Sequence, residues 1–399
     1  MRPLEQMRVL DLSHIYQGPY CATLLSYMGA DVVKIEPPGG ENLRHRSDGG
    51  YPPEFQFLNP SKRDVVLDLK TDAGTSALED LVAESDVLIE NFSPGTMERL
   101  GVGYESLREH NPQLVYGHGS GYGTSGPYTE YPAMDLTIQA ISGAMETTGF
   151  PGQPPVKAGP AFADFLGGIH LAAGLLGALL RRERTGEGEY VEVGMFDCIY
   201  PTLASPIAAW AREDATPPRT GNQHSGMAIV PYNAYEVEDG YVVIICMEQG
   251  QWERLAYVMG QRQLVEDERF ATKSQRARHV ETVDAIIEEW LEGKSRDETV
   301  ELLLEADIPA APVQTIDEVV TDEHLQERGM LNFREMPKEE GEGELPLPGM
   351  PIRFDTGDDP DVTPAPRLNE HTGEVLAEVA GYTEAEIRRV QDSIETDEP

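Results

Sequence analysis

The chain has 399 residues, 40% hydrophobic and 7% aromatic, with 31 basic residues against 70 acidic ones and a formal net charge of −39. That length supports a large core and two domains. A surface so acidic repels phosphate backbones, which argues against a nucleic-acid partner. Only 7 of the basic residues are lysine. Acid-rich, lysine-poor surfaces suit molar salt, where the Debye length falls to about 3 Å, so a high-salt cytoplasm is the expected location. Cys21, Cys198 and Cys246 form no close pair. They offer neither a disulfide framework nor a metal spacing, and no metal or permanently bound cofactor is expected.

Met7–Leu12 reads as a strand, Ser13 to Gly29 as a turn and helix, and Asp31–Glu36 as a second strand. This is a parallel βαβ unit. The turn His14-Ile15-Tyr16-Gln17-Gly18-Pro19 lies at the carboxyl end of the first strand, where open α/β sheets bind ligands. His14 and Tyr16 read equally well as ligand contacts or as a satisfied loop pair. Gly39–Tyr51 is polar and glycine-rich, hence a loop. Its Arg44 and Arg46 suit either a substrate carboxylate or surface ion pairs. Val65–Leu69 is a third strand, Thr71–Glu84 a helix capped by Thr71, Asp86–Phe92 a fourth strand, and Val115–His118 a further one. Near-continuous apolar strands alternating with helices predict a doubly wound parallel sheet.

The segment Gly117–Ala140 holds five glycines, then the carboxylate Asp135 directly ahead of an apolar run. Gly121–Gly126 matches G-x-G-x-x-G, but it follows a late strand and runs into Pro127, so it is not a dinucleotide fingerprint. Asp135 alone reads as a helix N-cap or a nucleophile. Phe165–Leu180 is short for a membrane span and reads as a buried helix, with Gly168, Ala172, Ala173 and Gly177 allowing close packing. Glu189–Val193 is a strand and Phe196–Glu213 a helix. Residues 214–224 read as a linker. Residues 225–336 read as a smaller α+β domain, with strands at Ala228–Val237 and Tyr241–Met247 and helices at Gly250–Met259, Thr282–Glu292 and Arg296–Ala306. Residues 337–399 read as a return crossing and two terminal helices.

Several long blocks carry a family resemblance: VLDLSHIYQGPYCATLLSYMGADVVKIE, NPSKRDVVLDLKTDAG, DVLIENFSPGTMERLG, GYGTSGPYTEYPAMD and RLNEHTGEVL. The chain resembles the class III CoA-transferases, which include formyl-CoA transferase and carnitine CoA-transferase, with α-methylacyl-CoA racemase as a cousin. The resemblance implies an α/β fold: a Rossmann-like large domain from residues 1–213 and 337–399, an inserted smaller α+β domain, and two interlocked protomers. It implies acyl-CoA thioesters and small carboxylic acids as substrates, with no membrane. The family's catalytic aspartate falls on Asp135, which would form an acyl anhydride and then an aspartyl-CoA thioester. The racemase branch has a histidine before that aspartate and an aspartate 29 positions on. Here Met134, which cannot move a proton, stands beside a matching Asp164.

CoA contacts of the family map onto His14, Ile15, Leu67, Lys70, Asn91 and Arg99. A phosphate-binding arginine of formyl-CoA transferase falls on Pro38 and a lysine on Ser120, which leaves Arg44 or Arg63 as substitutes. Gly221-Asn222-Gln223-His224 replaces that enzyme's glycine loop, which argues against formate and oxalate. Family and composition together point to succinyl-CoA as donor and a C4–C5 dicarboxylate such as mesaconate as acceptor. Tyr16, Gln17, Arg44, Arg46 and His224 are the candidate substrate contacts.

Overall fold

Six short apolar runs pair side by side in a computed structural model that describes residues 2–46, 52–213, 217–226, 228–335, 343–355 and 360–395. They are β1 (Arg8–Asp11), β2 (Asp31–Glu36), β3 (Arg63–Val66), β4 (Val87–Glu90), β5 (Val115–Ser120) and β6 (Glu189–Gly194). The order is β3-β2-β1-β4-β5-β6 and every pair is parallel. The winding direction reverses between β1 and β4, so the carboxyl ends of those strands open a crevice where doubly wound sheets take ligands. The strands read as continuous apolar runs because successive residues feed two cores. Val9, Val32, Val87 and Ile89 face one cluster, and Leu10, Val33, Leu88 and Tyr116 face the other.

The helices of this half are α1 (Gln17–Tyr27), α2 (Pro53–Leu58), α3 (Asp72–Ala83), α4 (Thr96–Arg99), α5 (Tyr104–His110), α6 (Asp135–Ile141) and α7 (Phe162–Thr185). Thr71 caps α3 as expected, accepting from the Gly74 amide at 3.1 Å. The apolar run of α7 does pack as a core helix: Leu171, Ala172, Leu175, Ala178 and Leu179 are buried with α1 residues. Gly168 permits that approach, since a Cβ there would sit 2.6 Å from the Gln17 carbonyl oxygen. Near the C-terminus, Thr372 accepts from the Val66 amide at 3.0 Å and seats the helix Thr372–Glu378 on the β3 edge.

The chain divides into two compact units. One comprises Met1–Ile138, Pro160–Ile199 and Val320–Pro399, the other Gln139–Gly159 and Tyr200–Val319. The second unit carries an antiparallel sheet of β7 (Tyr232–Val237), β8 (Gly240–Ile245) and β9 (Ala310–Pro312) over a core that includes Trp252, Phe270 and Ile287. The first unit adds a hairpin of β10 (Leu331–Glu335) and β11 (Glu344–Pro348).

Two local expectations fail at prolines. The helix expected at Phe196–Glu213 is broken into Met195–Ile199, a 3-10 turn Tyr200–Leu203 and Ala204–Glu213, with Pro201 at the break. The strand expected from Ala228 starts only at Tyr232, after Pro231. Within the loop expected at Gly39–Tyr51, Asn42–Arg46 forms a 3-10 turn, and 47–51 lie outside the described residues. So do 214–216 of the expected linker and 336–342 and 356–359 around the expected crossing.

Candidate active site at the carboxyl ends of the sheet

The turn after β1 is built on buried charge. Asp11, Lys34, Glu36, Glu41, Arg44, Lys62 and Asp64 are all buried. Lys62 donates to Asp11 Oδ2 at 2.8 Å, to the Pro19 carbonyl and to Asn59 Oδ1. Burial pushes the Lys62 ammonium down to about 8, although the Asp11 carboxylate opposes it. Lys34 lies 3.3 Å from Glu41 and donates to the Ser13 carbonyl at 2.8 Å. Three cations face four carboxylates here. Burial and the neighbouring Glu36 push the Asp64 carboxyl up.

Arg44 belongs to this cluster, which corrects its reading as a substrate cation. Its Nε and Nη2 donate to Glu36 at 3.0 and 2.7 Å, and Nη2 also reaches the Pro366 carbonyl at 3.1 Å. Its guanidinium stacks 3.9 Å above the Phe55 ring and is buried, so it does not face a ligand. Arg63 pairs with Asp31 at 2.6 Å and with Glu378 at 2.8 Å. Arg46 is the exposed arginine of the loop. It donates to the Tyr16 hydroxyl at 3.4 Å and lies over that ring.

Three of the expected CoA contacts, His14, Leu67 and Lys70, line one cavity of about 150 Å³ together with Leu12, Ile35 and Phe92. Burial and the Lys34 charge lower the His14 imidazole, which keeps the ring neutral. Its Nε2 is buried without a partner among the described residues. Asn91 holds the turn itself. Its side chain accepts from the His14 amide at 2.7 Å and donates to the His14 carbonyl at 2.8 Å, so it clamps the turn. Arg99 is exposed, donates to Thr96 Oγ1 at 2.7 Å, and lines a cavity of about 490 Å³ with Glu90 and His118. A third cavity, of about 160 Å³, is lined by Asn91, Ser120, Tyr122, Tyr131 and Ala133. Gly121 lies along it, and a Cβ there would fall 2.0 Å from Ala133 Cβ, so only glycine lets β5 pass this close to the segment before Asp135.

Asp135 is the first residue of α6, one position inside the N-cap expected from its local sequence. Thr137 does the capping: its hydroxyl accepts from the Met134 amide at 2.9 Å. The Asp135 carboxylate instead accepts from the Ala163 amide at 2.8 Å, in the first turn of the 24-residue α7. An orphan helix amide with the aligned dipole behind it suits a carboxylate. Asp164, the next residue, is buried. Burial, with the Asp135 charge adding to it, pushes its carboxyl up to about 7.

Gln17 packs against the same helix. Its side chain fills space that a Cβ at Gly119 or Gly167 would invade, and its Nε2 meets no acceptor among the described residues. Tyr16 touches Phe165 of α7 edge-on at 6.1 Å. Tyr16, Gln17, Arg46, Asp135 and Asp164 thus share one neighbourhood around the start of α7.

His224 lies in the second unit. Its Nδ1 accepts from the Gly226 amide at 3.1 Å and its ring meets Tyr232. Its loop is tied down by Gln223, which donates to the buried Asp284 at 2.8 Å. Among the described residues no group of three or more His, Cys, Asp or Glu side chains could hold a metal. Sequence reasoning missed Lys34, Glu36, Glu41 and Asp284. The signal for Lys34 and Glu36 was present, since charges inside an apolar parallel strand must be paired.

A doubly wound sheet with apolar clefts and exposed cations at its strand ends is the architecture in which α/β proteins take ligands. Residues 4–372 match the model of CoA-transferase family III, and the chain belongs to that family. It is 38% identical over 389 residues to the succinyl-CoA:mesaconate CoA-transferase of Haloarcula hispanica, covering 95% of this chain and 96% of the relative. It is 34% identical to the acetyl-CoA:oxalate CoA-transferase of Acetobacter aceti, with 95% and 96% covered. A crystal structure of a CAIB/BAIF family protein from Brucella suis superposes with a TM-score of 0.84 at 35% identity, covering 95% of this chain and 99% of that one. The chain is a CoA-transferase and its substrates are CoA thioesters.

Proposed function

We propose that this transferase moves CoA from succinyl-CoA to a dicarboxylate such as mesaconate through covalent adducts on Asp135. The observation that carries the reading is the seat of that carboxylate, held by the Ala163 amide at the start of α7 and only partly buried. One oxygen is oriented by the amide while the carboxylate keeps access to a ligand. An Asp135 oxygen attacks the thioester carbonyl and the C–S bond breaks, giving a succinyl-aspartyl anhydride and CoA thiolate. The thiolate attacks the aspartyl carbonyl and expels succinate. The acceptor carboxylate then attacks the aspartyl thioester and releases thiolate, which takes the new acyl group and frees Asp135. Each step exchanges acyl groups of similar energy, so no external activation is consumed.

In this reading His14, Ile15, Leu67 and Lys70 meet the CoA moiety, Arg99 meets a phosphate, and Asn91 holds the turn. Tyr16, Gln17 and Arg46 meet the acyl groups, with Arg46 in place of Arg44 for the distal carboxylate and His224 as a further contact. Two relatives named for succinyl-CoA and mesaconate support this substrate pair. The small domain as an insertion, an interlocked homodimer and a high-salt cytoplasm complete the proposal. Ile169 and Leu180, 45% and 56% exposed on α7, favour a partner on that face.

The test incubates the protein in molar KCl with succinyl-CoA and a panel of mesaconate, itaconate, citramalate, malate, acetate, carnitine and formate. Acyl-CoA products are read by mass spectrometry. A new dicarboxyl-CoA that disappears in Asp135→Ala is expected. Exchange that survives in Asp135→Ala refutes the nucleophile, and products from monocarboxylates alone refute the substrate class.

A further inference from the structure

Ile15 is a β-branched residue with φ of +69°. L side chains avoid this left-handed region, and a β-branched one there is roughly ten- to hundredfold disfavoured without outside support. The support is visible. The Ile15 amide donates to Glu41 Oε2 at 2.9 Å, and the other oxygen of that carboxylate lies 3.3 Å from Lys34 Nζ. Glu41 is itself fixed, its amide donating to Glu36 Oε2 at 2.7 Å, and both carboxylates are buried. On the other side Asn91 grips both backbone groups of His14, and Lys34 holds the Ser13 carbonyl. The turn is therefore imposed on its own residues from Glu41, which lies 26 positions further along the chain.

We propose that Glu41 is a positioning residue for CoA binding: its bond to the Ile15 amide holds the His14–Ile15 turn in the left-handed shape that presents His14 to the apolar cavity. This rests on the reading that the turn meets CoA. Glu41 touches no reacting atom, so its loss should weaken thioester binding and leave turnover at saturation largely unchanged. Glycine adopts positive φ freely. Replacing Ile15 by glycine should therefore make Glu41 dispensable, which a purely structural role for Glu41 would not produce.

Without Glu41 the Lys34 ammonium keeps Asp11 and Glu36 nearby and the Ser13 carbonyl as acceptor, so Glu41 is replaced alone. CoA affinity is measured by isothermal titration for the native protein, Glu41→Leu and Glu41→Leu/Ile15→Gly, with melting temperatures as the folding control. Glu41→Leu is expected to weaken CoA binding about tenfold, and Ile15→Gly to recover most of the loss. Equal affinity with and without Glu41, or no recovery with glycine at position 15, overturns the inference. Because binding does not need the nucleophile, a failure of the Asp135 assignment would appear only in the exchange assay. A native protein that does not bind CoA would overturn the inference together with the ligand assignment of the turn.

Discussion

Asp164 makes the neighbourhood of Asp135 sensitive to pH in a direction opposite to that of most carboxylates. Its carboxyl rises from an ordinary 3.8 to about 7, chiefly through burial and secondarily through the Asp135 charge. Between those values the folded protein keeps a proton that the unfolded chain has released. The unfolded state then binds fewer protons, so stability falls as pH rises. At about 1.36 kcal/mol per pH unit the interval is worth about 4 kcal/mol, lost progressively from about pH 4 and fully above about pH 7. Asp164→Asn keeps the size and the neutral form at every pH. It should melt close to the native protein at pH 4.5 and clearly higher at pH 8. Calorimetric scans in molar KCl are the assay, because salt screens the contribution of Asp135 while burial persists. Asp135→Asn should move the upper end of the window to lower pH. A melting difference between Asp164→Asn and the native protein that is the same at pH 4.5 and pH 8 would refute the reasoning.

Other outcomes follow from the same geometry. Arg44→Ala strips the counter-charge from buried Glu36 and should cost about 3–5 kcal/mol, seen as a lower melting temperature, while the ratio of KM values for di- and monocarboxylates stays put. Arg46→Ala should raise that ratio with little change in melting; the opposite assignment would show the reverse pattern. His118 of β5 donates from Nδ1 to Glu90 of the neighbouring β4 at 2.5 Å. Burial would lower its imidazole, but the Glu90 bond and charge outweigh burial and hold it above 6.5. That contribution is complete below about pH 6.5 and lost as pH rises through the higher folded value. The melting penalty of His118→Gln should therefore shrink between pH 6 and pH 9, and a constant penalty would count against the ion pair.

The sheet was legible because burial on both faces makes parallel strands apolar throughout, and because Thr71 and Gly29 mark helix ends by local chemistry. The short strands β9 to β11 were not, since Ala310–Pro312 and Glu344–Pro348 carry prolines and β9 pairs with β8 from far earlier in the chain. Asp135 was ambiguous for a related reason. Its neighbours in sequence permit a cap, and only the fold brings the Ala163 amide, 28 positions away, to its carboxylate.

Arg44 shows why residue type alone misled. In a chain with 31 cations and 70 acids, each arginine in a polar loop invites reading as a ligand contact. Yet Asp11 and Glu36 close β1 and β2 and Asp64 lies within β3, and a carboxylate taken out of water needs a partner more urgently than an exposed one does. Lys34, Lys62 and Arg44 answer that need beneath the turn, and Asn91 answers the matching need of the His14 backbone. Lys70, Arg99 and Arg46 are instead exposed. Ligand contacts on such a scaffold are found by subtracting the cations that the buried acids already hold.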